Sequence, residues 1–385
     1  MANCTEGEAG GGLPRVKRPQ RDQIEFRACC WNDLLPEDHQ ARIVWDYVEG
    51  LDLSALYERI KAVERHPGQS PIDPRILFAL WLYATLRGIG SAREVDRRCD
   101  PQLGEVPFQW ICGGVSVNYH TLADFRTAHM ELLDQTLTTS VAVLMQEGLV
   151  TLERVAQDGL KVRASAGAAS FRRRGTLEEH LAQAQEQIEA LKAELDADPA
   201  AANRRQQAAR ERAARERAER LQQALEQLSE VEAKKKSRET EKARVSTTDP
   251  EARVMKMADG GYRPAYNVQL GTDTQTQIIT GVDVSNSGGD QGKMAPMVEQ
   301  HEDRYEETPE EMLVDGGFAK KDDITRVSPP EGSTTVYAPV QKSKKDDRDP
   351  HTPREDDSPA VAEWRTRMAT AEAKEIYKER AATAE

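Results

Sequence analysis

The chain has 385 residues, 38% hydrophobic and 5% aromatic content, and a formal net charge of −13, which leaves room for two or three domains with proper cores. Its longest apolar run, near Ile76–Leu86, ends at Arg87, well short of the roughly 20 residues of a membrane span. Cys4, Cys29, Cys30, Cys99 and Cys112 form neither an even framework nor a CxxC pair, which excludes a disulfide scaffold or zinc ribbon and fits reduced thiols in a cytoplasmic protein.

Residues 1–30 read as a disordered tail, because Gly10-Gly11-Gly12, Pro14 and scattered basic residues carry no apolar periodicity. No charged-then-apolar leader is present, so secretion is not expected. Residues 31–150 read as an all-α N-terminal domain. Asp38 is the expected cap of a helix through Ile43, Val44, Tyr47 and Val48. Asp73-Pro74 opens a strongly apolar helix over 75–86, with proline in the first turn where its missing N–H costs nothing; Gly88 and Gly90 stop it. Ser91 caps a helix over 92–99, followed by a turn-rich stretch with Pro101, Pro107 and Gly113-Gly114. Another helix, 118–129, leads into one over 132–147. The helices at 92–99 and 118–129 invite comparison with a DNA-reading helix-turn-helix, with His120, Arg126 and His129 on phosphate. The long stretch between them favours ordinary core helices instead.

Residues 153–163 read as a short strand ending near Asp158. A segment of different composition follows over 175–245. Leu177, Leu181, Ala184, Ile188, Leu191 and Leu195 step by four and three residues, as an a/d seam does. Asp198-Pro199 breaks that seam, and Ala214, Ala218, Leu221, Leu225 and Leu228 resume the stepping. An inserted antiparallel helical hairpin is expected, with a dimerising coiled coil as the alternative. Strands are then expected at 266–271 and 277–284, with Asp273 and Thr274 at the turn, a helix over 292–302, and short strands at 311–315 and 334–339. Residues 342–358 read as a loop. Residues 360–385 contain no proline or glycine beyond the start and read as one helix.

Charge is unevenly spread. Residues 203–245 carry thirteen Lys/Arg against eight Asp/Glu, whereas 299–311 carry seven acids and one arginine. Lys161, Arg163, Arg172, Arg173 and Arg174 stand in 161–174 without an acid, so this stretch is the expected DNA-backbone contact despite the negative total. Arginines 204–220 are explained nearly as well by solvated helix faces with i,i+4 ion pairs. The histidines show no ligand spacing.

Asp158-Gly159 and Asp315-Gly316-Gly317 place a carboxylate before glycine at the end of a short strand. Acids converging from different strands hold hard divalent cations, and a cation pair about 4 Å apart clamps the attacking and leaving oxygens of phosphoryl transfer. Glycine behind the acid leaves space for a ligand to approach the backbone. Any one Asp-Gly alone is equally a turn-former or cap.

Several strings, in order, carry a resemblance: Ser70-Pro-Ile-Asp-Pro-Arg-Ile-Leu, Ala156-Gln-Asp-Gly-Leu-Lys-Val, Asp249-Pro-Glu-Ala-Arg-Val-Met, Gly261-Tyr-Arg-Pro-Ala-Tyr-Asn-Val-Gln, Leu313-Val-Asp-Gly-Gly-Phe and Tyr377-Lys-Glu-Arg-Ala-Ala-Thr-Ala-Glu. From Trp31 onward the chain resembles bacterial insertion-sequence transposases of the DDE, RNase H-like superfamily, specifically the IS-eleven-eighty-two type related to the IS-four and IS-five groups. The resemblance implies a fold and a reaction. The fold is an α/β RNase H-like catalytic domain over 151–385, interrupted by the helical insertion and preceded by the all-α domain. The reaction is Mg²⁺-dependent cleavage and strand transfer of DNA, with two ions (Mn²⁺ as the substitute), by a homodimer acting on element ends and target.

It also implies Asp158, Asp315 and Glu385 as catalytic metal-binding acids, with Tyr377 and Arg380 beside them on DNA. Glu385 is the last residue written, whereas the family continues with a basic residue and further helix. The expectation is therefore a weakly active or silent enzyme, the alternative being a remnant that binds DNA without cutting it.

Overall fold

The computed structural model describes residues 30–60, 70–197, 204–235, 237–328, 334–342 and 348–384. It divides into two compact units between Leu133 and Asp134, earlier than the boundary expected near residue 150. The expected tail at 1–29 lies outside the described residues.

The first unit is helical. Helix α1, Gln40–Glu49, is capped by His39, whose Nδ1 accepts the Ala41 N–H at 3.1 Å; the cap falls on His39 rather than Asp38. A short α2 spans Ser54–Glu58. Helix α3, Pro74–Leu86, begins at an Asp73 cap that accepts the Arg75 N–H. Ile76, Leu77, Phe78, Ala79, Leu80, Trp81, Tyr83 and Ala84 are all buried, so α3 is apolar nearly all round and forms the centre of the unit. Helix α4, Ala92–Arg98, is capped by Ser91, and α6, Tyr119–Ala128, by Asn118.

Between them the stretch expected to be turns contains a helix, α5, Val106–Cys112. Pro107 occupies its first turn, where proline is tolerated, and Gly113 ends it at φ 54°. With a whole helix between α4 and α6, the tight turn of a helix-turn-helix is absent. Arg126 lies over the Trp81 ring at 4.2 Å and donates to the Gly90 carbonyl, so its guanidinium serves the core. Helix α7 spans Met130–Gln146, and its Leu137, Val141 and Leu144 join the core of the second unit.

The second unit is built on a six-stranded sheet. Strand β1 is Arg154–Arg163, and the two-residue β2 is Phe171–Arg172. Helices α8, Arg174–Ala197, and α9, Arg204–Ala233, follow. Next come β3, Val245–Ser246, β4, Arg253–Lys256, β5, Tyr262–Asp273, and β6, Ile279–Ser285. The chain continues through α10, Met294–Tyr305, β7, Glu311–Val314, α11, Lys321–Val327, and β8, Thr335–Tyr337, into α12, Pro359–Ala369, and α13, Ala371–Ala384.

The sheet order is β4-β5-β1-β7-β8, with β6 also on β5. β5 pairs antiparallel with β1, β4 and β6, while β1, β7 and β8 are mutually parallel. The β5–β6 turn is fixed by Asp273, whose Oδ2 accepts from the Thr276 N–H and hydroxyl. Helix α10 packs on one face of the sheet, with Met297 and His301 against Gly271 and Gly281, where any side chain would strike them. Helix α13 lies on the other face. Val155, Met312, Leu313, Val314, Met294, Trp364 and Met368 fill the core.

Two expectations are corrected here. β1 does not end near Asp158: its pairing with β7 stops at Gln157, but pairing with β5 carries it to Arg163. The C-terminal residues are not one helix either. Thr370, with ψ 155°, is extended and separates α12 from α13, and its hydroxyl caps α13 by accepting the Ala373 N–H at 3.1 Å. Hydroxyl capping makes a break without proline or glycine.

Between β1 and β4, α8 and α9 pack against each other. Leu177, Ala184, Leu221, Ala224 and Leu228 are buried between them. Arg174 at the start of α8 reaches Glu232 and Ser229 near the end of α9, so the helices run antiparallel. The expected break at Asp198-Pro199 lies outside the described residues. At the base, β2 and β3 pair Phe171 with Ser246 and Arg172 with Val245. No helix among the described residues is long and apolar enough to cross a membrane.

Candidate active site

Parallel strands in register present matched residues on the same face. β1 and β7 match Ala156 with Leu313 and Gln157 with Val314. One step further stand Asp158 and Asp315, so the sheet brings together the two acids that the sequence singled out. β7 has ended there while β1 continues along β5.

Each carboxylate is held by the chain around it. The Asp315 Oδ1 accepts the Gly317 N–H at 2.6 Å. A side chain at Gly317 would bring its Cβ to 2.8 Å from that oxygen, so the carboxylate would have to shift to admit it. The Gly316 carbonyl is tied down by Gln341 Nε2 at 2.6 Å. Asp158 Oδ1 accepts the Gly159 N–H at 2.9 Å and pairs with Arg380 Nη2 at 3.0 Å.

Arg380 comes from α13, one turn after Tyr377. Burial pushes the Tyr377 phenol above its ordinary value, and Asp315 and Asp158 add to the rise against the opposing charge of Arg380. Those charges place the tyrosine, the arginine and both acids in one neighbourhood. Arg380 Nε is buried with no hydrogen-bond partner among the described residues. A further turn along α13, Thr383 lines a small cavity of about 160 Å³ with Ala156, Asp158, Gly159, Leu160, Leu270 and Thr272. Glu385, the third acid implied by resemblance, lies outside the described residues.

Arg154, Glu311 and Glu379 fix α13 over the sheet, a role that sequence reasoning missed. Arg154 at the start of β1 pairs with Glu311 of β7 at 2.5 Å and with Glu379 of α13 at 2.6 Å. A lone arginine opening a strand gives no signal of this in sequence; the Arg154–Glu311 register creates it.

Behind Asp158, on the opposite face of β1, lies a buried polar layer. Asp290 Oδ1 accepts from Asn267 Nδ2 at 2.7 Å and Gln269 Nε2 at 3.0 Å, with Lys161 Nζ at 3.5 Å. Gln157 Nε2 donates to Gln269 Oε1 and to the Lys293 carbonyl, each at 3.0 Å. These groups crowd Gly159, where a Cβ would meet Asp290 Oδ1 at 2.5 Å. The glycine after Asp158 therefore makes room for the protein's own side chains, not for a ligand as expected.

The five expected DNA contacts are held in different ways. Lys161 faces Asp290, Arg174 is engaged by Glu232, and Arg172 donates to the Ala169 and Phe171 carbonyls. Arg173 is exposed. Arg163 is exposed and lines a cleft with Lys161, Lys256, Asp259 and Arg263. Among the described residues no three His, Cys, Asp or Glu side chains gather as a metal-holding group. Asp158 and Asp315 supply hard carboxylate oxygens of the kind Mg²⁺ takes, few enough to leave positions for substrate and water.

Residues 29–128 match a family model described as Transposase domain (DUF772). The helical first unit is thus similar to a transposase domain. No curated protein and no solved structure matches the chain.

Proposed function

We propose that this chain is a DDE-type transposase of the IS-eleven-eighty-two type, with an RNase H-like catalytic domain that cleaves DNA and transfers the strand with Mg²⁺ or Mn²⁺. The observation carrying this reading is the placement of Asp158 and Asp315 on neighbouring parallel strands, beside Arg380 and Tyr377. The transposase-domain match over 29–128 supports DNA as the partner. Three antiparallel strands followed by two parallel ones, in the order β6-β5-β1-β7-β8, support the RNase H-like reading.

Asp158 and Asp315 would hold the metal, with Glu385 as the third acid. Bound there, a divalent cation lowers the pKa of water and neutralises charge on the phosphodiester. The chain's own residues prepare the place. The Gly317 N–H holds Asp315 Oδ1 and orients the other oxygen. Arg380 steadies Asp158 and brings a permanent positive charge to where phosphate oxygens approach. Tyr377, kept protonated by burial, offers a phenolic donor. Arg163, with Lys256 and Arg263 along the neighbouring cleft, would contact the DNA backbone. A second copy would supply the other element end.

The test is Mn²⁺- or Mg²⁺-dependent nicking of DNA carrying the element ends, by the wild type and by Asp158→Asn and Asp315→Asn. Cleavage lost in both variants, with DNA binding retained, is the expected result. Equal cleavage in either variant removes the assignment. Salt-sensitive DNA binding without cleavage by the wild type would establish the silent remnant instead.

A further inference from the structure

Two of the five cysteines, thirteen positions apart in sequence, meet in the first unit. Cys99 follows the last residue of α4, and its N–H bonds the Val95 and Asp96 carbonyls. Cys112 is the last residue of α5. Both are buried and unbridged. Their side chains are close enough to act on each other's ionisation, raising Cys99 and lowering Cys112.

They also share access. Both line one cavity of about 520 Å³, whose wall includes Trp31, Asp96, Leu103 and Val115. Leu103 and Trp31 are among the exposed apolar side chains, so the cavity reaches solvent. Buried cysteines are ordinarily inert packing residues because no reagent reaches them. A thiol pair on the wall of an open cavity is different, since a small oxidant can enter. The two thiols are also unequal. Their mutual interaction, assisted by burial, pushes Cys99 up, while the same interaction holds Cys112 below its ordinary value against burial. Cys112 is therefore the sulfur that ionises first.

We propose that Cys99 and Cys112 are an oxidation site that closes reversibly to a disulfide when a hydroperoxide enters this cavity. The Cys112 thiolate attacks the terminal peroxide oxygen; the O–O bond breaks, and the alkoxide leaves and takes a proton. Cys112 becomes a sulfenic acid. The Cys99 sulfur then attacks the Cys112 sulfur; the S–O bond breaks and hydroxide leaves with the Cys99 proton as water. Two thiols and one hydroperoxide thus give a disulfide, an alcohol and water, and a dithiol reductant reverses the change. The bond would fasten the end of α4 to the end of α5 within the segment matching the transposase domain. This inference is independent of the proposed cleavage.

The test uses the full chain with Cys4, Cys29 and Cys30 replaced by serine, so that only this pair remains. After cumene hydroperoxide at pH 7, unfolding and maleimide labelling should find neither thiol. Intact mass should fall by about 2 Da, the loss of two hydrogens, and dithiothreitol should restore both labels. In Cys99→Ser the sulfenic acid has no resolving thiol, so Cys112 should be captured by dimedone. Two maleimide labels after hydroperoxide treatment, or a disulfide found only between two chains, would overturn the proposal.

Discussion

Asp158 and Asp315 stand one register step past the Gln157–Val314 pair, on two parallel strands of which one stops and the other runs on. Neighbouring parallel strands fix their separation through the backbone rather than through flexible side chains. The placement should therefore be sensitive to side-chain length. Asp315→Glu keeps the charge but moves the carboxylate by one methylene, and positional errors near 1 Å cost about 10²-fold in rate. Nicking by Asp315→Glu is expected to fall by that order, with the urea midpoint unchanged. Wild-type rates in this variant would show that the spacing is not critical.

Gly159 has no room for a side chain. Its Cβ would meet Asp290, Gln269 and Asn267 atoms at 2.5, 2.7 and 2.9 Å. Asn267 and Gln269 are fully buried, so the layer yields only by breaking hydrogen bonds. Gly159→Ala should destabilise the second unit by about 1–3 kcal/mol, the usual range for overpacking, read from denaturant unfolding. A change below a few tenths would mean the layer can part.

His301 should make stability depend on pH. It is buried between the Thr280 hydroxyl, 2.8 Å from Nε2, and the Met297 carbonyl, 2.8 Å from Nδ1. Burial pushes it down to about 4 from the 6.5 of a free histidine. Between those values the unfolded chain binds a proton that the folded chain refuses, so stability falls as pH drops from 6.5 towards 4. At pH 5 the loss is about 2 kcal/mol relative to pH 7. His301→Gln should show a weaker dependence between pH 7 and 5 in urea titrations. An unchanged slope would assign the effect elsewhere.

Arg365 and Asp357 form a pair almost wholly out of water, 2.7 Å apart, with side chains 6% and 0% exposed. Arg365 also donates to the Pro350 carbonyl, and Lys321 lies 2.8 Å from the same carboxylate. Burial alone would raise the Asp357 pKa, but hydrogen bonds from Lys321, the Arg354 N–H and Arg365 outweigh it and hold the acid below its usual range. Arg365→Ala should cost about 1.5–3 kcal/mol, the usual worth of hydrogen bonds to a charged group, because Lys321 and the Arg354 N–H still hold the carboxylate, measured by unfolding at pH 7. Asp357→Asn in the same background should recover part of the loss.

Much of the frame could be read from residue pattern. The apolar run of α3, its Asp73 cap and the four-three stepping of Leu177, Ala184, Leu221 and Leu228 all mark buried positions. Those signals are local, so sequence carries them. Pro107 misled because proline serves a helix's first turn as well as a loop, and Thr370 because a hydroxyl cap can end one helix and begin another without breaker residues. The polar layer was illegible for a deeper reason. Asn267, Gln269 and Gln157 are polar residues in strands, yet they are fully buried. Only tertiary pairing with Asp290 and Lys293 makes that burial tolerable. The same holds for the basic stretch, since Lys161 and Arg174 are claimed by acids far along the chain.

The clasp of Phe171–Arg172 against Val245–Ser246 has a consequence for how the sheet forms. β1 must find β5 across the whole excursion through α8 and α9, and a slack tether of that length would make the search slow. A self-packed helix pair pinched shut at its neck shortens that tether to a few links. The excursion then behaves as an appendage on a tight connector, and an engineered chain joining residues 172 and 245 directly should still zip β1 to β5 in the native register.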